Sequence, residues 1–275
     1  MSTIKVGIAG LGRLGKVHAK NLCYRIPGAS LTAACSIVES ELDYAKRELG
    51  VNDVYTDFHE MLGKADTVSY THLDVYKRQA PLLYPEYVEE VFDRGTDIAI
   101  RNFKKYWDAF GSDIDVLFIC GTDFGTQRGP FMDPEVFKEF YLPYYKKMND
   151  WIHENTTWKT LKHSCGGIFP ILPYLIESGF DAVNPVQCSA EGMDPQKLKD
   201  TYGKDIVFWG GGVDTQKVLP FGTPEEVREQ VLERLDIFSK DGGYVCNTIH
   251  NIQANTPIPN IVAMVEAIKE FNGDK

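Results

Sequence analysis

His163 and Cys165 stand two residues apart in WKTLKHSCG, a strand-like stretch that runs into glycine. At i and i+2 of a strand both side chains point the same way. An imidazole nitrogen beside a thiolate sulfur is a zinc donor pair. Two candidates for a third ligand, His250 and Cys246, lie in GGYVCNTIHNIQ. Three protein ligands leave one position open, where a bound thiol loses its proton more readily and becomes a nucleophile. The other meaning of the pair is a packed histidine beside a buried cysteine, and the pair alone favours that. Asp123 in GTDFGTQ and Asp214 in GGGVDT end other strands. Both could orient a substrate or its cationic groups, although strand-end aspartates also cap loops. With His250 they form the candidate catalytic set.

A second kind of chemistry is written at the start. IKVGIAGLG is a β-branched run ending in glycines, and RLGKVHAKNLCYRI carries apolar residues at helical spacing. Strand, tight turn and helix therefore surround Gly10-x-Gly12-x-x-Gly15. Gly10 allows the turn, Gly12 lets backbone approach a pyrophosphate, and Gly15 lets helix and strand pack closely. The free N–H groups at the helix start favour phosphate. Candidate cofactor contacts are Gly10, Leu11, Gly12, Arg13 and Leu14. The next strand, ASLTAACSIV (29–38), should end in an acid for the adenosine ribose, and carries Ser36 there. No Arg or Lys follows closely enough to argue for a 2′-phosphate, so NAD and NADP both stay open.

The elements that must position these residues are alternating. After residue 80, helical patterns alternate with DVLFIC (115–120), WKTLKHSCG (158–166), DAVNPVQ (181–187), DIVFWGGG (205–212) and GGYVCNTIH (242–250). Each strand runs into a polar or Gly-rich loop. In a βα barrel such loops gather on one face, where active sites sit. Asp133-Pro134, Asp194-Pro195 and Thr223-Pro224 read as N-cap followed by Pro at the first helical position. The expected fold class is α/β: a partial Rossmann fold followed by an incomplete (β/α)8 TIM barrel of about five βα units.

The net charge of −10 comes from residues 80–275, which sum to −11. Such a field disfavours nucleic acid and anionic membrane surfaces as partners. Six scattered cysteines without CxxC spacing suit reduced thiols better than a disulfide framework. The opening residues enter a strand at once, with no signal-peptide pattern and no long apolar run, so a cytoplasmic location and a small-molecule substrate are expected.

AGLGRLGKVHAKNL, with His18 three residues after the last glycine, resembles the start of the Gfo/Idh/MocA oxidoreductases, which include inositol dehydrogenases; the likeness continues to about Ala65. It implies NAD(P) at Gly10, Gly12 and the Ser36 turn. The Glu-Lys-Pro motif of that family, whose lysine serves hydride transfer, occurs nowhere in the chain. Nucleotide binding without hydride transfer is therefore the expectation.

HSCGG, NPVQCSAEGMDPQKLKDTYG, FWGGGVDTQKVLPFGTPEEVREQV and HNIQANTPIPNIVAMVEAI resemble the uroporphyrinogen decarboxylase superfamily over nearly all of residues 82–271. FGTQRGPFMDPEVF and the His-x-Cys signature are closer to its cobalamin- and corrinoid-dependent methyltransferases. That resemblance implies a zinc site that activates a thiol, or a methoxylated substrate, with a corrinoid protein as a further partner. His250 stands where decarboxylases carry the His of a Gly-His-Gly-Ile loop and where several methyltransferases carry a zinc-binding Cys. The third ligand is thus open between His250 and Cys246. A decarboxylase of tetrapyrrole synthesis is the remaining alternative; RQAPLLYPEY lacks the second arginine of its substrate loop.

The organisation expected is a Rossmann fragment at 1–67, a junction at 68–80 and the later part of the barrel at 81–275. Within the junction, SYTHLDVYKRQ resembles a translated joining string that recurs at chimeric joins in assembled environmental sequence. That implies an assembly artefact rather than a genuine fusion, with neither piece complete for catalysis and a poorly soluble or molten product.

Overall fold

The computed structural model describes residues 4–58, 60, 61, 69–72 and 81–274. It separates into two compact units, Met1–Pro85 and Glu86–Lys275.

In the first unit, strands β1 (Ile4–Ala9), β2 (Ala29–Cys35), β3 (Asp53–Tyr55) and β4 (Ser69–His72) form a parallel sheet of order β3-β2-β1-β4. Helices Arg13–Tyr24 and Glu39–Leu49 lie between the strands in sequence and share a core with them through Ile8, Leu11, Ala19, Leu31, Ala34, Ala45 and Leu49. β2 stops three residues short of the expected end. The Ser36 hydroxyl accepts the N–H of Val38 at 3.1 Å, and Val38 already caps the following helix. This local turn competes with the strand ladder. Within the expected junction, Ser69–His72 pair with Val6–Ala9 as β4. Its Tyr and Thr are strand-forming residue types. The other junction residues, 68 and 73–80, lie outside the described set.

The second unit holds all but the first residue of helix Pro85–Phe110 and carries β5 (Val116–Cys120), a short antiparallel hairpin of β6 (Gly125–Thr126) and β7 (Gly129–Pro130), β8 (Lys159–His163), β9 (Ala182–Asn184), β10 (Val207–Trp209) and β11 (Tyr244–Val245). The five long-range strands are all parallel, in sheet order β11-β10-β9-β8-β5. Their neighbours in space are their neighbours in sequence, as successive βα units require. β5 and β11 are the two edges.

Helix starts follow the local chemistry. Asp133 accepts the N–H of Glu135 and Asp194 that of Lys197, while Thr223 and Glu226 make a reciprocal capping box. The helical stretch that follows Asp133 is two helices, Pro134–Phe140 and Leu142–Asn155. Pro143 has no N–H and its ring would collide with the carbonyl four residues earlier, so the helix restarts before it. Phe124, Phe137, Leu172, Leu175, Leu198, Phe208 and Phe238 are all almost fully buried in one core cluster.

A register shift breaks the side-chain alternation of β5 at its carboxyl end. Phe118 pairs with Leu161, but Cys120 pairs with Lys162 instead of His163. The bulge turns Cys120 onto the face of Lys162 and away from that of His163.

Candidate metal centre

β8 delivers His163 at its last residue, and the chain then turns through Ser164, Cys165 and Gly166. Gly166 has φ +88°, and a Cβ there would stand 2.6 Å from the backbone N of Thr126. Only glycine lets the loops after β5 and β8 cross this closely. The loops are tied at the same point. The N–H of Cys165 donates to Asp123 Oδ1 at 2.8 Å, that of Phe124 to Ser164 Oγ at 2.9 Å, and that of Gly166 to Gln187 Oε1 at 2.8 Å.

From the other edge, backbone pairing continues beyond β10 and β11. Gly212 N–H meets Asn247 O at 2.8 Å and Ile249 N–H meets Val213 O at 3.1 Å. Thr248 then holds the carbonyl of His250 through its hydroxyl at 2.6 Å. This brings His250 to the end of β8.

One ligand atom each from His163, Cys165 and His250 lie within 4.8 Å of one another. Cys165 Sγ is 3.4 Å from His163 Nε2, and the two imidazole rings stand 6.2 Å apart at 75°. His163 Nδ1 is engaged on its far side by Asn184 Oδ1 at 2.7 Å. Asp123 Oδ1 lies 3.5 Å from His163 Nε2. Burial first, then the Asp123 carboxylate, pushes the Cys165 thiol up to about 12. Without a cation the thiol keeps its proton.

This donor set fits zinc: two imidazoles and one thiol, with one ring nitrogen already committed to an outer hydrogen bond as metal-binding histidines usually are. Cys246 does not belong to the group. Its sulfur lies against Gly212 near the Tyr244 hydroxyl, and burial raises its pKa. Asp214 also has other work. Its Oδ1 accepts the N–H of Gln216 at 2.7 Å and its own N–H donates to Gln230 Oε1 at 2.8 Å.

A cleft of about 550 Å³ opens beside the group, lined by His163, Asn184, Pro185, Asn247 to Ile252. No lysine or arginine lines it among the described residues.

Two residues near the site were not singled out from the sequence. Asn184 precedes a proline and reads as a turn; only the β8–β9 register sets it opposite His163. Lys162 is fully buried, its ammonium donating to the carbonyls of Thr122 and His163 and lying 4.9 Å from the Phe124 ring centroid. Burial pulls it down to about 8, against the opposing pull of Cys120. Cys120 accepts in return: burial would raise its thiol, but the Lys162 charge and hydrogen bonds from Thr122 and Tyr145 outweigh that and lower it. A lysine inside a strand pattern was the available signal.

In the first unit, Gly10 has φ +89° and its N–H meets Cys35 O at 2.8 Å. Leu11 is fully buried, and Gly12 caps helix Arg13–Tyr24 with nothing within 4 Å of where a Cβ would be. Arg13 and Leu14 open that helix. The Ser36 hydroxyl donates to Glu41 Oε2 at 2.6 Å, so a carboxylate does stand at the turn after β2, from five residues on. This open, N–H-presenting turn fits a dinucleotide pyrophosphate.

The second unit is thus a parallel α/β sheet whose strand ends present a candidate His–Cys–His metal group. The family model for uroporphyrinogen decarboxylase (URO-D) matches residues 67–271, and the chain belongs to that family. A methylated-thiol–coenzyme M methyltransferase of Methanosarcina mazei is 27% identical over 190 residues, covering 68% of this chain and 45% of that protein. A uroporphyrinogen decarboxylase of Coxiella burnetii is 23% identical over 168 residues, 59% of this chain and 42% of that one. The chain thus spans less than half the length of these relatives. A solved methyltransferase from Methanosarcina mazei shares the fold at TM-score 0.56 and 21% identity, covering 78% of this chain and 61% of that one. Toward the N-terminus, a myo-inositol 2-dehydrogenase of Thermotoga maritima is 41% identical over 59 residues, 22% of this chain and 17% of that protein. Among the described residues no helix is long and apolar enough to cross a membrane.

Proposed function

We propose that the second unit carries thiol-activating methyl-transfer chemistry, with His163, Cys165 and His250 as zinc ligands and a small thiol or methylated thiol as substrate. The observation that carries this reading is the convergence of those three donors within 4.8 Å at the ends of parallel strands. Similarity to a methylated-thiol methyltransferase supports the substrate class. Bound zinc would supply a Lewis acid that lowers the pKa of a thiol entering the open position. The remaining work falls to the protein. Asp123, half-exposed beside Nε2 of His163, is placed to pass the proton of the incoming thiol on to solvent. Asn247 and Asn251 present neutral polar groups to the substrate in the cleft. The methyl group would come from a corrinoid protein.

A tetrapyrrole polycarboxylate suits this cleft poorly, because its carboxylates call for arginine or lysine partners and the described lining has neither. The five-stranded sheet is open at β5 and β11. We therefore assign the chain thiol binding and activation with little or no turnover, in keeping with a chimeric origin at the junction. The first unit we read as a dinucleotide-binding remnant, supported by the open Gly12 turn.

The test is calorimetric titration of zinc-loaded full-length chain with coenzyme M in two buffers of different protonation enthalpy. Release of one proton per thiol, lost in Cys165→Ala, supports the reading. Binding without proton release, or no zinc-dependent binding, overturns it.

A further inference from the structure

We propose that Asn184 is the positioning residue of this centre: held against the carbonyl of Trp209, it forces His163 into its Nδ1-protonated tautomer and so turns the Nε2 lone pair toward Cys165 and His250. The last step, toward a metal, rests on the proposed zinc site; the tautomer rests on hydrogen bonds alone.

The chain of donors and acceptors has one solution at Nδ1. Asn184 closes β9, with His163 directly opposite on β8 and Trp209 closing β10 on the other side. Its Nδ2 lies 3.0 Å from Trp209 O. A backbone carbonyl can only accept, so the amide nitrogen must face it and the amide oxygen must face away. That oxygen lies 2.7 Å from His163 Nδ1. An amide oxygen also only accepts, so Nδ1 must carry the proton. With Nδ1–H fixed, a neutral ring carries its free pair at Nε2, the nitrogen 3.4 Å from Cys165 Sγ and 3.5 Å from Asp123 Oδ1. Reversing the amide would set its oxygen against the carbonyl oxygen of Trp209 and lose that hydrogen bond, whichever tautomer the ring adopts. Trp209 thus fixes Asn184, and Asn184 fixes His163. The arrangement spans three adjacent strands.

Two variants separate positioning from mere packing. Asn184→Leu keeps the volume and removes the acceptor; Asn184→Asp keeps an acceptor for Nδ1. In metal-free, histidine-labelled full-length chain, the nitrogen shifts of His163 report its tautomer directly. The wild type and Asn184→Asp should show Nδ1–H, and Asn184→Leu should show a mixture or Nε2–H. Zinc affinity should fall roughly 10- to 100-fold in Asn184→Leu, the range for lost outer-shell partners, and recover in Asn184→Asp. Nε2–H in the wild-type protein overturns the inference, whether or not the leucine variant folds. So does an unchanged tautomer and zinc affinity in a folded Asn184→Leu. If the wild type shows Nδ1–H yet binds no zinc, the metal reading fails and the positioning of His163 stands.

Discussion

The carboxylate of Asp123 accepts the backbone N–H of Cys165 at 2.8 Å, so one side chain both ties the loop after β5 to the loop after β8 and sets a negative charge beside the thiol. The two roles can be separated. In Asp123→Asn the amide oxygen can still take the N–H, but the charge is gone. The thiolate of Cys165 is then less opposed, and its alkylation by iodoacetamide at fixed pH should quicken roughly three- to tenfold. Mass spectrometry of the Cys165 peptide reads this apart from the other five cysteines.

Gly166 should tolerate no side chain. Its positive φ and the backbone of Gly125 and Thr126 against it leave no room for a Cβ. Gly166→Ala is expected to cost about 1–3 kcal/mol from conformational strain alone, read by denaturant unfolding. Zinc affinity should drop as well, because the change pushes apart the loops that carry Asp123 and Cys165.

Asp181 predicts an acid limit to stability. Its Oδ2 accepts from His153 Nε2 at 2.7 Å and Thr160 N–H at 2.8 Å, and Lys159 Nζ lies 3.0 Å from Oδ1. Burial would raise this carboxyl, but the bonds from Thr160, Lys159 and His153 outweigh it and hold it below the usual range. A folded pKa below the unfolded one means that the unfolded chain binds more protons across that window. The stabilisation is present above the unfolded value and is lost as pH falls through the folded one. Asp181→Asn should cost about 1–3 kcal/mol at neutral pH. The gap between wild type and variant should close below about pH 4. Urea midpoints measured across pH 3 to 7 check this; a gap independent of pH would contradict it.

What could be read from the residues divides along physical lines. The five later strands were visible because each is a short β-rich run between capped helices, and Asp133, Asp194 and Thr223 make the caps their types promise. His163 and Cys165 were visible as a donor pair because i and i+2 is a local relation. Asn184 was not, since its partner is 21 residues away and meets it only through the β8–β9 register. The face of Cys120 was equally hidden: strand alternation puts it with His163, and a bulge moves it to Lys162. The strand at Ser69–His72 is four residues long in a segment without turn or cap signals, and its pairing with β1 is a tertiary fact. Local patterns name residues well; register and bulges decide what they touch.

X-ray absorption at the zinc edge of the loaded full-length chain tests the centre most directly. The account predicts one protein sulfur, from Cys165, and two imidazole nitrogens, from His163 and His250, with sulfur rising to two when coenzyme M is added. Two sulfurs before any thiol is added would hand the third position to Cys246, and a chain that retains no zinc would contradict the account outright.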